Sequence, residues 1–425
     1  MQKLSGRKQL LIGFTLFSMF FGAGNLIFPP HLGAQAGTNF WPAFLGLAIS
    51  AVGLPIAGVI AVAKADGLDK LAGRVHPVFA RAFMVLIYLS IGPCLAIPRT
   101  ASTSFAMLAP LLGSGSGLQL GYSAVFFAAA WLVALHPDKL TLWLGRLLCP
   151  CLLCLILVLF CGSLLHPLAA QYGAPDSTYY SSAILQGVLY GYQTMDTLAA
   201  LNFGAVIALN IRAQGISQKD AVQRSTIRAG LVAGGLLLAV YAMLGHAGAL
   251  TGAAAPGLAT GADVLTLLAD CLFGRAGLVL LAAIFLLACF NTCIGLLACV
   301  GQYFHTLLPR IPYPAFVGFF AAASMLLSNL GLADIIRLST PVLNAIYPAA
   351  ILLIVLSFVP GLEQHRFVYP LCIGGTAIQS IAAALPLGPL SALANALPLA
   401  ALGFGWVLPA AAGLLIGILL RRTKL

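Results

Sequence analysis

The segment from Phe20 to His31 reads FFGAGNLIFPPH, inside a run with no Asp, Glu, Lys or Arg from Gln9 to Ala63. Gly22 and Gly24 permit close approach and unusual dihedrals. Pro29 lacks an amide donor and crowds the carbonyl four residues earlier, that of Asn25. A helix here is expected to unwind near residues 21–25. Unwinding frees amide N–H groups at one half-helix N-terminus and carbonyls at the other's C-terminus. The amides, at the positive end of a helix dipole, suit a carboxylate. The carbonyls suit a hard cation such as sodium. An amino acid and a cation could share one such break. The competing reading is that the glycines only let neighbouring helices pack closely.

A second constellation, YGYQTMD, runs from Tyr190 to Asp196. Tyr190 and Tyr192 flank Gly191, and Gln193, Thr194 and the ionisable Asp196 follow. A carboxylate at membrane depth is costly and marks a functional position by default. Three uses are open to Asp196: capping a second half-helix, accepting a substrate ammonium, or carrying a proton. Phe20, Tyr190 and Tyr192 are expected against an apolar substrate side chain. Arg99 stands near the end of the third apolar block, either snorkelling to the interface or closing an outer gate. Asp334 and Arg337 read as a helix-end ion pair. His31 and His246 have no ligand set around them.

These residues need elements to hold them, and composition says which. The 425 residues are 61% hydrophobic and 7% charged, whereas a soluble domain carries roughly 25% charged residues. The expected fold class is an all-α membrane protein of about twelve transmembrane helices. The apolar blocks place them near 9–30, 40–62, 78–99, 121–136, 146–165, 183–209, 225–249, 275–304, 313–330, 336–358, 367–385 and 400–420. With a cytoplasmic N-terminus, all of the 21 basic residues except Arg99, Arg275 and Arg337 fall on the cytoplasmic side. That set includes Lys3, Lys139, Arg421, Arg422 and Lys424. The skew follows the positive-inside rule with both termini cytoplasmic. It also removes the nucleic-acid reading that a net charge of +11 invites.

The ten cysteines read as small buried hydrophobes, Cys151 and Cys154 included. The basic start and long apolar run at the N-terminus read as a first span and not as a removed signal. The Gly/Ala-rich stretch 250–274 is either a short surface helix over the outer mouth or a plain loop.

The two constellations each open a block of five helices. Five is odd, so the blocks enter the membrane in opposite directions. Discontinuous helices one and six in a five-plus-five inverted repeat point to a secondary transporter's binding site. The expected units are 1–165, an inverted 183–358, and 367–425 carrying two additional helices. A membrane-embedded enzyme would need a catalytic dyad or metal set, and two broken helices argue against a channel.

The stretches FFGAGNLIFPPHLGAQAG, GPCLAIPRTASTSF, GYQTMDTLAALNFG and ACFNTCIGL together resemble the branched-chain amino acid:cation symporter family. The resemblance implies sodium-coupled import of leucine, isoleucine and valine across the bacterial inner membrane. It also implies the inverted-repeat fold shared with the amino acid–polyamine–organocation and neurotransmitter:sodium symporter groups. In those relatives the helix-one break reads G-x-G-N followed by a proline, which Gly22, Ala23, Gly24 and Asn25 match. By resemblance, the amides near Ala23 and Gly24 take the substrate carboxylate. The carbonyls of Ser18 and Phe21, with Ala288, Asn291 and Thr292 of helix eight, take sodium. Asn291 departs from the hydroxyl expected there, and Ala106 stands where a Glu is usual. The implied partners are the amino acid, sodium as coupling ion and membrane lipid. No further cofactor is implied, and the oligomeric state stays open.

Overall fold

The computed structural model describes residues 4–113, 115–136, 141–216, 218–386 and 388–420. Lys3, Lys139, Arg421, Arg422 and Lys424 lie outside the described residues. Within them the chain is helical, with no strand. The first half comprises α1 (Gly6–Phe20), α2 (Ala23–Ala36), α3 (Phe40–Ala48), α4 (Leu54–Ala65), α5 (Leu68–Gly73), α6 (Pro77–Leu89), α7 (Ala96–Leu112), α8 (Ser116–Ala134) and α9 (Cys149–Leu165). The second comprises α10 (Tyr179–Tyr192), α11 (Asp196–Ala213), α12 (Lys219–Ala254), α13 (Gly261–Phe273), α14 (Arg275–Leu307), α15 (Tyr313–Ser328) and α16 (Leu332–Ser357). α17 (Val368–Ala384), α18 (Pro389–Asn395) and α19 (Val407–Leu419) follow. Among the described residues, seven helices are long and apolar enough to cross a membrane, or nine if each of two bent pairs is one span.

The expected interruption near 21–25 is narrower than that. Only Phe21 (φ −75°, ψ 91°) and Gly22 (φ −125°, ψ −156°) leave helical geometry. Pro29 and Pro30 ride inside α2 without stopping it. The proline pair is therefore not what breaks the helix. Its missing donors instead deprive the carbonyls of Asn25 and Leu26 of intrahelical partners.

The block expected as one helix over 78–99 is broken too. A π turn at Ser90–Cys94 joins α6 to α7, and Gly92 within it is non-helical (φ −85°, ψ −125°). The last helix begins at Val407, later than expected, and its 13 residues make it short. Among the described residues no ion pair joins Asp334 to Arg337; the pairs present involve Asp66 or Glu363. Cys149, Cys289, Cys293, Cys299 and Cys372 are buried as expected, but Cys94, Cys151, Cys154, Cys161 and Cys271 are exposed.

Close helix contact is built on glycine. A Cβ on Gly248 of α12 would overlap the Pro30 backbone of α2, and one on Gly33 of α2 would overlap the Gly245 carbonyl. Backbone thus meets backbone along the α2–α12 seam, as small residues allow. The stretch 250–274 is not a plain loop: residues 250–254 end α12, and α13 forms a helix of its own. Thr260 and Asp263 cap it reciprocally, at 3.0 and 3.2 Å. Its apolar face, with Val264, Leu265 and Leu268, is buried where it packs on α2 and α14.

Candidate functional site

At the α1–α2 break, the Gly22 amide would reach the Ser18 carbonyl in an unbroken helix. It donates instead to Asn25 Oδ1 at 3.2 Å, which releases that carbonyl. The first helical bond of α2 runs from the Leu26 amide to the Gly22 carbonyl. The amides of Ala23, Gly24 and Asn25 precede it and have no intrahelical partner.

At the α10–α11 break the chain bends by 50°. Met195 sits in the left-handed region at φ 67°, costly for a side chain with a Cβ. Local bonds hold the turn: Thr194 Oγ1 donates to the Gly191 carbonyl at 2.9 Å and accepts from the Asp196 amide at 3.4 Å. Asp196 is thereby set as the first residue of α11, at the positive end of its dipole.

The two breaks meet. Asn25 Nδ2 donates to Asp196 Oδ2 at 2.5 Å, and the Tyr241 hydroxyl donates to the same oxygen at 3.1 Å. Asn25 also bonds the Tyr241 hydroxyl. All three side chains are buried, so α2, α11 and α12 are tied through one carboxylate. Tyr241 is a site residue that sequence reasoning misses. A lone hydroxyl in the middle of an apolar helix is the signal that could have found it.

Arg99 does not reach out of the protein: it is 4% exposed. Its Nη1 donates to the Gln193 carbonyl at 3.1 Å and its Nη2 to the Thr194 carbonyl at 3.5 Å. The guanidinium therefore caps the carbonyl end of α10, where a cation is favoured. The break at Ser90–Cys94 delivers it there, because α7 begins only three residues before Arg99.

A small cavity of about 30 Å³ lies among these groups. Phe20, Ile91, Ala199, Phe203 and Leu296 supply apolar wall, while Arg99, Thr194, Asp196, Thr292 and the Gly22–Asn25 segment supply polar wall. Phe20 meets Phe203 edge-on at 5.1 Å. Gly22, Ala23, Gly24 and Asn25 thus line one cavity with Phe20, Thr194 and Asp196. Tyr190, Gly191 and Tyr192 do not line this cavity. Tyr190 bonds His31 and packs edge-on against Phe28, while Tyr192 stacks on Tyr347 at 4.8 Å. Gly191 sits against Ser50, whose hydroxyl fills the space a Cβ would need.

Of the residues assigned to sodium by resemblance, Thr292 faces the helix-one break. A Cβ on Gly22 would lie 2.7 Å from its Oγ1. That hydroxyl is buried without a hydrogen-bond partner, which fits a cation ligand. Ala288 and Asn291 are fully buried but are not cavity walls, and neither polar atom of the Asn291 side chain has a partner. The Ser18 hydroxyl donates to the Leu144 carbonyl at 3.2 Å, leaving its own carbonyl as the candidate ligand. Phe21 is buried and stacks on Phe17.

The profile of a family described as branched-chain amino acid transport protein matches residues 5–424. The chain is 40% identical over 422 residues to branched-chain amino acid permease BraB of Bacillus subtilis, spanning 97% of this chain and 95% of that relative. It is 38% identical over 429 residues to the branched-chain amino acid transport system 2 carrier protein of Pseudomonas aeruginosa, spanning 99% and 98%. It shares a fold with a Na+-coupled sialic acid symporter solved in a substrate-bound outward-open state. There the TM-score is 0.64 and the identity 13%, over 97% of this chain and 89% of the other. The chain belongs to the branched-chain amino acid transport protein family, whose members are multi-pass membrane transporters and not enzymes.

Proposed function

We propose that the protein imports leucine, isoleucine and valine by sodium-coupled alternating access. The observation that carries this reading is the meeting of two helix breaks at one cavity, whose wall includes the first-turn residues of α2, the Asp196 carboxylate and the Thr292 hydroxyl. The amides of Ala23 and Gly24 suit the substrate carboxylate, Asp196 suits its ammonium, and the apolar wall around Phe20 suits a branched side chain. Sodium would use the Ser18 and Phe21 carbonyls and the Thr292 hydroxyl, which supply hard oxygen ligands. The similar permease and carrier of Bacillus subtilis and Pseudomonas aeruginosa support branched-chain substrates, and the Na+-coupled sialic acid symporter supports sodium as a coupling ion in this fold.

In this proposal α1 with α2, and α10 with α11, each form one interrupted span, and the short α15 and α19 also cross. About twelve spans result, arranged as 1–165, an inverted 183–358 and two added helices in 367–425. The charge skew supports cytoplasmic termini in a bacterial inner membrane. The α1–α2 and α10–α11 elements rock against the remainder.

Proton coupling through Asp196 is the second reading. It draws on one observation: the carboxylate's side-chain partners, Asn25 and Tyr241, are uncharged. Uptake of labelled leucine into proteoliposomes under separately imposed sodium and proton gradients distinguishes the two. Stimulation by sodium alone is expected; stimulation by protons alone overturns the sodium assignment.

A further inference from the structure

A buried cation needs an anionic partner, because desolvation of an unpaired charge is expensive. Arg99 has none. It is 4% exposed, and among the described residues no carboxylate oxygen lies within 4.0 Å of it. Two of its five N–H donors go to the Gln193 and Thr194 carbonyls. Phe28 flanks the guanidinium, its ring centre 5.9 Å away. The same group forms one wall of the cavity that the α2 N-terminus and Asp196 also line. Its Nη2 lies 3.0 Å from where a Cβ on Gly24 would stand. Gly24 thus lets the guanidinium sit directly beside the unpartnered first-turn amides of α2.

We propose that Arg99 is the receptor for the substrate carboxylate, acting together with those amides, and is not an outer gate. A guanidinium matches a carboxylate in plane and in charge. Arg99 and Asp196 on two walls of one cavity then orient a zwitterion end to end. A carboxylate arriving there gives the buried cation an anion in direct contact, which Asp196 across the cavity does not supply, so occupancy of the site is itself stabilising. Arg99's bonds to Gln193 and Thr194 place this receptor on the α10–α11 turn, so substrate capture acts directly on the second break.

This inference rests on the branched-chain amino acid reading, and one experiment separates the two. Binding of leucine and of leucinamide, which keeps the side chain and the amine but has no carboxylate, is measured on the purified full-length protein in saturating sodium. Wild type should prefer leucine. R99Q should weaken leucine by about 10- to 100-fold, the worth of a hydrogen bond to a charged group, and leave leucinamide unchanged. R99K, which keeps the charge and loses the planar fork, should fall between. Equal weakening of both ligands by R99Q marks Arg99 as a structural cap of α10 and overturns the proposal, as does unchanged leucine binding. Failure of wild type to bind leucine at all would instead sink the transport reading. Should R99Q not fold, phenylglyoxal labelling of wild type decides the same question. Leucine should protect the Arg99 peptide, as read by mass spectrometry, and leucinamide should not; equal labelling with and without leucine overturns the assignment.

Discussion

Asp196 holds a carboxylate deep in the protein with two uncharged hydrogen-bond donors, Asn25 and Tyr241, while the Arg99 cation lines the same cavity without contacting that carboxylate. Both donors can also serve an amide oxygen, and the weaker bonds are offset by no longer burying a charge. Asp196→Asn should therefore insert and melt close to wild type, because the bonds survive and only the charge is lost. Uptake of labelled leucine should fall about tenfold or more, since a charged acceptor for the ammonium is worth more than a neutral one. Thermal unfolding in detergent and proteoliposome uptake, measured side by side, test this; normal uptake would reduce Asp196 to scaffold. Asn25 and Asp196 are legible in the sequence because a polar group in an apolar span is conspicuous. Tyr190 and Tyr192 mislead. Two residues apart on a helix means about 200° of rotation, so they cannot both face one cavity. Tyr190 turns to His31 and Phe28, and Tyr192 to Tyr347.

Among the elements, the apolar blocks are readable to within a turn or two, but the breaks are not readable from glycine and proline alone. Pro29 and Pro30 lie in unbroken helix, whereas Gly92 opens a block that reads as continuous. What decides is a side chain able to take the freed backbone groups: Asn25 for the Gly22 amide, Arg99 for the α10 carbonyls. A partner such as Arg99 comes from elsewhere in the chain and leaves no local mark. The α1–α2 break also presses on α14, where a Cβ at Gly22 would stand 2.7 Å from Thr292 Oγ1 and 3.1 Å from its Cγ2. Gly22→Ala should cost about 1–3 kcal/mol by overpacking and lower sodium-stimulated uptake. Adding Thr292→Ala should restore the melting temperature but not uptake, because it makes room by deleting the hydroxyl. At the far end of α4, Asp66 accepts from Lys70 at 2.7 Å and lies 3.4 Å from Lys219 and 3.7 Å from Arg212. One carboxylate thus joins the ends of α4 and α11 to the start of α12. The Lys70 hydrogen bond, followed by Lys219, holds its pKa below the usual carboxylate value. A lowered folded pKa means the stabilisation is complete above the unfolded carboxylate range and fades as pH falls through the folded value. Asp66→Asn at neutral pH should speed amide exchange in the turn after α11 by about twofold to fivefold, the scale of exposed ion pairs. High salt should produce the same change in wild type.

For the molecule as a whole, size is the telling quantity. The cavity between the breaks holds about 30 Å³, room for roughly two waters and not for a leucine. Binding therefore requires the helices around it to part, and any ligand that favours the parted state favours the other's binding. Under the proposed sodium coupling, both ligands use the α1–α2 break, the cation on its carbonyl side and the carboxylate on its amide side. The affinity of leucine should then rise by some factor in saturating sodium, about 5- to 150-fold for ordinary coupling energies, and sodium's affinity must rise in leucine by the same factor. Thr292→Val gives the sharpest probe. Its hydroxyl has no partner inside the protein, and valine has nearly the same shape, so folding should be untouched. Both factors should drop together toward one, with leucine affinity in the absence of sodium unchanged. Calorimetric titration of each ligand with and without the other measures all four affinities. Undiminished coupling in that variant would remove Thr292 from the cation site, and a leucine affinity that follows pH but ignores sodium would hand the coupling to Asp196.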